Sequence, residues 1–249
     1  MGRVLVTGGA KGMGAAIVRA LVAGGHDVTF TVRSSGEAAE ALVAELKASH
    51  PDRDVAIATL DLADKAAVEA FCATLEKGEA LYGLVHNAGQ PYDQLAAVMD
   101  QAKAEAVMQI NFFAFTRLVN AVVRPMMRAR MGRIVAIGSV TAERSNQGNA
   151  AYGASKAALA AYCRTLAIES AKRGVSVNVV APGFVDTDMM AKYADYRESM
   201  EKQIPAGRFA RPEEIGGLVA YLLSPLASYL TGATISIDGG LTASMGLQR

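Results

Sequence analysis

The chain has 249 residues, 51% of them hydrophobic and 20% charged, and a formal net charge of +1. That is ample to bury a core, and so small a charge supplies no general field for nucleic acid or an anionic membrane. Two cysteines, Cys72 and Cys163, and three scattered histidines, His26, His50 and His86, form neither a disulfide framework nor a metal-ligand spacing, so a reduced cytoplasmic setting and no metal are expected.

In chain order, the opening Met-Gly-Arg runs into a strand, without the charged-then-apolar layout of a signal peptide. Gly2 lacks a myristoylation context, since position 6 is Val6. Residues 3–7 read as a short apolar strand and 12–23 as a helix stopped by Gly24-Gly25. A second strand covers 27–32, and a helix covers 36–49 and ends before Pro51. A strand over 54–59, a helix over 63–75 and a strand over 81–86 follow, then a long helix over about 102–130. Next come a strand over 133–137, a helix over 150–172 and a strand over 175–180. A helix over 212–223 and a strand over 234–237 close the series. No apolar run reaches the ~18 residues that suggest a membrane span.

The strands are near-continuous apolar runs, as in a parallel sheet covered on both faces. Their alternation with helices predicts an α/β fold: a doubly wound, mostly parallel seven-stranded sheet with helices on both faces, as one domain over 1–249. Ligands of such sheets bind beyond the carboxyl ends of the strands. Gly8, Asn87, Ser139 and Pro182-Gly183 follow strands one, four, five and six.

The turn Thr7-Gly8-Gly9-Ala10-Lys11-Gly12-Met13-Gly14 joins the first strand to the first helix. Glycines there let the backbone turn tightly and approach a pyrophosphate, which then faces exposed N–H groups and the helix dipole. NAD binders place an acid ~20 residues on, at the end of the second strand, to hold the ribose hydroxyls. This chain has Thr31-Val32-Arg33-Ser34-Ser35 instead, and Asp27 stands at the wrong end of the strand. Arg33 can pair with a 2′-phosphate and Lys11 adds a second cation, so NADP(H) is the expected cofactor. Asp61-Leu62 is placed to contact the adenine edge, and Asn87-Ala88-Gly89 to line the cofactor.

Tyr152-Gly153-Ala154-Ser155-Lys156 sets a phenol and an ammonium one helical turn apart on one face. A neighbouring ammonium is expected to lower the phenol's pKa from ~10 toward working pH, which suits proton exchange with a substrate oxygen. Alone the pair is common on solvated helix faces. Together with the glycine turn, Asp61, Asn87-Ala88-Gly89, Asn111, Ser139, Pro182-Gly183 and Thr231-Gly232 to Asp238-Gly239-Gly240, it makes the whole chain resemble the short-chain dehydrogenase/reductase family. Three stretches are most similar to that family's bacterial 3-oxoacyl-carrier-protein reductases: Gly132 to Val140, Val179 to Met189, and Ile204-Pro205-Ala206-Gly207-Arg208-Phe209.

The resemblance implies that Tyr152 gives a proton to a ketone oxygen, that Ser139 hydrogen-bonds the same oxygen, and that Lys156 holds the nicotinamide ribose and tunes Tyr152. It implies that Asn111 anchors a water relaying protons to Lys156; an amide inside a helix competes with backbone bonding, so Asn111 is locally odd there. Gly8, Lys11, Gly12, Met13, Gly14, Arg33, Asp61, Leu62, Asn87, Ala88, Gly89, Tyr152, Lys156, Pro182, Gly183, Val185 and Thr187 make up the implied cofactor site. Arg130 and Arg173 align with cations that the family uses to dock acidic acyl carrier protein near the cleft mouth, though helix-dipole complementarity alone explains both. A substrate lid is expected over about 188–210, bearing Met189, Met190, Tyr193, Tyr196 and Met200, and a homotetramer is implied.

The chain departs from the family in reading His86 where Asn is usual, a structural substitution by expectation. Segments 90–94 and 141–147, which border the acyl site, also differ. Carrier-bound 3-oxoacyl reduction by NADPH in fatty-acid or related chain elongation is the first expectation. Acetoacetyl-CoA reduction or a small-ketone or polyol dehydrogenase is the alternative. A cofactor-binding regulator without catalysis would need a broken Ser/Tyr/Lys set, and this one is intact.

Overall fold

The computed structural model describes residues 2–34 and 36–243. Met1, Ser35 and residues 244–249, which the 1–249 and Arg33-loop readings include, lie outside the described residues. The strands β1 (Arg3–Thr7), β2 (Asp27–Val32), β3 (Val55–Thr59), β4 (Gly83–His86), β5 (Gly132–Ile137), β6 (Val175–Pro182) and β7 (Thr234–Ile237) form one sheet. Their order is β3-β2-β1-β4-β5-β6-β7, with every pairing parallel. The chain reverses its direction of travel across the sheet between β1 and β4, and a crevice opens there beyond the carboxyl ends. Thr7 pairs with His86 in that register, which sets the glycine turn beside Asn87.

The helices are α1 (Gly12–Ala23), α2 (Glu37–Ser49), α3 (Lys65–Lys77), α4 (Gln101–Met108), α5 (Ala114–Ala129), α6 (Ala150–Ser170), α7 (Arg197–Glu201) and α8 (Pro212–Leu223). Successive residues of β1 point to opposite faces. Val4 and Val6 pack with Ile17, Leu21, Ile215 and Leu222 of α1 and α8, while Leu5 packs with Phe115, Leu118 and Leu159 of α5 and α6. Each such fully buried Leu, Ile or Phe contributes about 1.5–3 kcal/mol relative to exposure. Two cores thus hold the sheet rigid, and the site sits on its edge.

Helix ends follow local chemistry. α3 begins two residues later than expected because Asp64 caps it, accepting from the N–H groups of Ala66 (2.9 Å) and Ala67 (3.1 Å). α8 begins where Pro212 and the first-turn acids Glu213 and Glu214 predict, with Arg208 paired to both Glu214 oxygens. The expected helix over 102–130 is broken: residues Gln109–Phe113 form a π-turn between α4 and α5. With it, Gln101–Ala129 is a 29-residue helical run apolar enough, by length and composition, to cross a bilayer, which the sequence reading did not expect. Its apolar side belongs to the core with Leu84 and Ile134. The segment expected to cover the substrate is a 3-10 stretch, Asp188–Tyr196, running into α7.

Candidate active site

Four strand ends converge on one crevice. At the end of β1, Gly8 adopts φ +67°, open to glycine at little cost. Its N–H donates to Thr31 Oγ1 (3.2 Å), and that of Gly9 to the Thr31 carbonyl (3.1 Å), so β2 holds the turn. A Cβ at Gly14 would overlap the Gly8 carbonyl and press on Asn87 Nδ2 at 2.8 Å, so only glycine closes this cradle. Asn87 Nδ2 donates to the carbonyls of Thr7 (3.2 Å) and Gly8 (2.8 Å), while its buried Oδ1 has no partner among the described residues.

Arg33 and Lys11 are exposed and in no ion pair among the described residues, and no acid stands at the end of β2. A glycine cradle, an orphaned acceptor and two uncommitted cations fit a phosphorylated dinucleotide. Asp61 Oδ1 accepts from the Ala63 N–H (2.9 Å), shaping the turn after β3. The carbonyl of Leu62 accepts from Gln109 Nε2 (3.1 Å). Gln109, which sequence reasoning missed, therefore braces the expected adenine edge from the π-turn.

The chemical groups lie at the ends of β5 and α6. Ser139 Oγ accepts from the Thr141 N–H (3.2 Å) and the Thr141 hydroxyl (2.8 Å). With both lone pairs engaged, its own proton points to the Tyr152 phenol oxygen or to another acceptor in the cavity. Lys156 is 2% exposed and its Nζ donates to the Ile137 carbonyl (2.8 Å), 5.7 Å from the centre of the Tyr152 ring. Burial pushes its pKa down to about 8.

Tyr152 corrects one expectation. Its pKa is raised, not lowered: burial disfavours the phenolate, the hydrogen bond with Ser139 pulls the value back, and Asp93 adds to the rise. In the chain alone the Lys156 ammonium is turned toward Ile137, so its field does not outweigh desolvation.

Asn111 has a fuller role than a water anchor. Its Nδ2 donates to the Gln90 carbonyl (3.1 Å) and Ser155 Oγ (2.9 Å), and its Oδ1 accepts from the Gln90 N–H (2.8 Å). Ser155 in turn donates to the Tyr152 carbonyl (2.7 Å). The π-turn is what aims this amide at both the loop after β4 and α6, and such turns recur at functional sites. Ala88 and Gly89 follow Asn87 along that loop; a Cβ on Gly89 would stand 3.3 Å from Lys156 Nζ and 3.4 Å from Asn111 Oδ1.

These groups open on a cavity of about 510 Å³. Met13, Asn87, Pro182, Gly183, Val185 and Thr187 line its cofactor side, and Ser139, Tyr152 and Lys156 its centre. Thr187 also faces Gly12, whose Cβ would meet its methyl at 3.2 Å. The two divergent segments do border it, through Asp93, Asn146 and Gln147, and the segment after β6 covers it with Met189, Met190, Tyr193 and Met200. Tyr193 donates to Asp93 Oδ2 (2.7 Å) and Asn149 to Oδ1 (2.7 Å), so one carboxylate ties that cover to the rim. Tyr196 is exposed and does not line the cavity.

Arg130 and Arg173 correct another expectation. They precede β5 and β6, at the amino edge of the sheet, whereas Ser139 and Pro182 follow those strands. Six strand residues span about 20 Å, so within one chain neither arginine flanks the cleft mouth. They lie close together there: Arg130 Nη2 donates to the Lys172 carbonyl (3.3 Å).

A stability test follows from Lys156. Its pKa is depressed from 10.5 to about 8, so between those values the unfolded chain binds more protons and stability rises with pH. Lys156→Met in the cofactor-free protein is expected to raise the melting temperature below pH 8, by at most about 3 kcal/mol of stability, with the gain fading toward pH ~10.5. Thermal melts of both proteins across that range check it; a variant less stable at pH 7 contradicts it.

Comparison with known proteins agrees with this geometry. A family model described as Enoyl-(Acyl carrier protein) reductase matches residues 8–242. The 3-oxoacyl-(acyl-carrier-protein) reductase FabG of Escherichia coli (strain K12) is 40% identical over 242 residues, covering 95% of this chain and 96% of that protein. An acetoacetyl-CoA reductase of Synechocystis sp. is 38% identical over 239 residues, covering 95% and 94%. A solved short-chain dehydrogenase/reductase from Serratia marcescens BCRC 10948 superposes with a TM-score of 0.89 at 33% identity, covering 97% of this chain and 98% of that one.

Proposed function

The chain belongs to the short-chain dehydrogenase/reductase family, and from that premise we propose that it reduces the 3-oxo group of an acyl thioester on acyl carrier protein to the 3-hydroxyacyl thioester. It is an NADP-dependent oxidoreductase acting on a ketone/hydroxyl pair. The observation that carries the reading is the convergence of Ser139, Tyr152 and Lys156 on one cavity beside a glycine cradle lacking the NAD acid.

NADPH, when bound, supplies a hydride to the ketone carbon. Gly8, Gly12 and Gly14 would admit its pyrophosphate, Arg33 and Lys11 would pair with its 2′-phosphate, and Asp61 and Leu62 would hold its adenine end. Ser139 turns its one donatable proton from the Tyr152 oxygen to the ketone oxygen and so orients it. Tyr152 then donates its phenolic proton to that oxygen. Its raised pKa keeps the phenol protonated at neutral pH, the state reduction needs. Lys156 steadies the phenolate as it forms, and a proton taken up from solvent through the open cavity restores the phenol.

The chain is read as one catalytic domain with a lid over 188–210, working in the cytoplasm. Ile168 on α6 and Leu226 and Tyr229 beyond α8 are exposed apolar groups, and β7 is an edge strand of the sheet. They support a homotetramer, since covering such an edge removes a pairing hazard. In such an assembly a carrier protein on Arg130 and Arg173 could also serve a cavity belonging to another copy.

A second reading, an acetoacetyl-CoA or small-ketone substrate, has one observation in its favour. The rim formed by Asp93, Asn146 and Gln147 is polar, whereas a long acyl chain wants apolar walls. NADPH oxidation with acetoacetyl-carrier protein beside acetoacetyl-CoA at matched concentration decides. Preference for the carrier protein is the expected result. Equal or better use of the CoA ester moves the substrate to the second reading, and faster reduction of a 2-enoyl thioester removes both.

A further inference from the structure

Beneath the active site lies a buried imidazole that the mechanism does not use. His86 is fully buried at the end of β4. Its Nδ1 is 3.2 Å from Thr7 Oγ1. Thr7 Oγ1 already accepts from the N–H groups of Asn87 (3.1 Å) and Ala88 (3.0 Å). With both lone pairs engaged, its proton goes to His86, so Nδ1 is the acceptor and the ring carries its proton on Nε2.

That Nε2 is buried with no hydrogen-bond partner among the described residues, and the backbone of Ile110 and Asn111 in the π-turn lies beside the ring. The ring lies against Phe115, centroids 5.0 Å apart, which fixes its plane. Burial, and after it the ammonium of Lys156, holds the imidazole pKa down to about 3. A cation at position 86 would repel the ammonium the active site needs.

We propose that His86, as a neutral Nε2–H imidazole, is a positioning residue that joins the cofactor floor at Thr7, Asn87 and Ala88 to the π-turn presenting Asn111. The glycine turn does not depend on it, because Thr31 holds Gly8 and Gly9 from the other side. Loss of His86 is therefore felt in turnover more than in cofactor binding. The turnover arm rests on the reductase reading; the tautomer does not.

Long-range ¹H–¹⁵N spectra of ¹⁵N-histidine-labelled protein test the tautomer, with the His86 signals identified by their loss in His86→Asn. The expected result is the Nε2–H pattern, unchanged from pH 5 to pH 9. An Nδ1–H pattern, or a titration in that range, overturns the proposal whatever the substrate is. His86→Leu, which removes the acceptor for Thr7, is expected to lower kcat about tenfold or more, with the Kd for NADPH within about threefold of the parent. His86→Asn keeps that acceptor and is expected to recover most of the loss. Parent-like kcat in His86→Leu, or equal damage in both folded variants, overturns the positioning role.

Discussion

Replacing Tyr152 by phenylalanine lowers kcat by about 10²–10⁴-fold, the range a positioned acid contributes, while NADPH binds within a small factor of its parent affinity. The ring stays, so packing beside Lys156 and the cavity wall is kept; only the transferable proton goes. Ser139 still polarises the ketone, but the alkoxide that forms has no donor in reach, and Lys156 is held by the Ile137 carbonyl. Fluorescence titration with NADPH beside steady-state turnover separates the two effects. Turnover within tenfold of the parent would remove Tyr152 from the proton-donor role. The raised pKa of Tyr152 sharpens this: reduction by the parent should persist through neutral pH and fall in the alkaline range, first as Lys156 loses its proton near pH 8 and then as the phenol ionises.

Arg33→Asp reverses the cofactor preference. A charge-assisted hydrogen bond contributes about 1.5–3 kcal/mol, so NADPH affinity is expected to fall by about 10–150-fold, and further where the new carboxylate repels the 2′-phosphate. NADH has no such phosphate, and an acid at the end of β2 can take its ribose hydroxyls, so its affinity is expected to hold or rise. The variant costs little stability, since Arg33 is exposed and makes no ion pair among the described residues. Binding constants for both cofactors provide the check; an equal loss for both would place the phosphate elsewhere, with Lys11 the next residue to change.

Much of the site was legible in the chain because strand ends and helix faces are local properties. An apolar run followed by glycines specifies both the strand and the turn, and i, i+4 spacing put Tyr152 and Lys156 on one face of α6. The start of α8 was equally local, set by Pro212 and two acids in its first turn. Asn111 looked wrong for a helix interior, and the structure resolves the anomaly: the backbone there is a π-turn, and the amide bonds Gln90 and Ser155.

What the sequence determined by itself is the order of the elements, the glycine cradle, the NADP-type strand end and the identity of the reacting groups, since each rests on residues close together in the chain. Only the tertiary structure decided the rest, because desolvation and distance belong to the folded surroundings. The sign of the Tyr152 shift depends on burial and on Asp93, about sixty residues away in sequence. Gln109, Thr141 and Ser155 act through contacts that no motif announces. Arg130 and Arg173 fall on the far edge because helices in a parallel sheet return to the amino ends of the strands, and a cation at a helix terminus carries no label saying which edge that is.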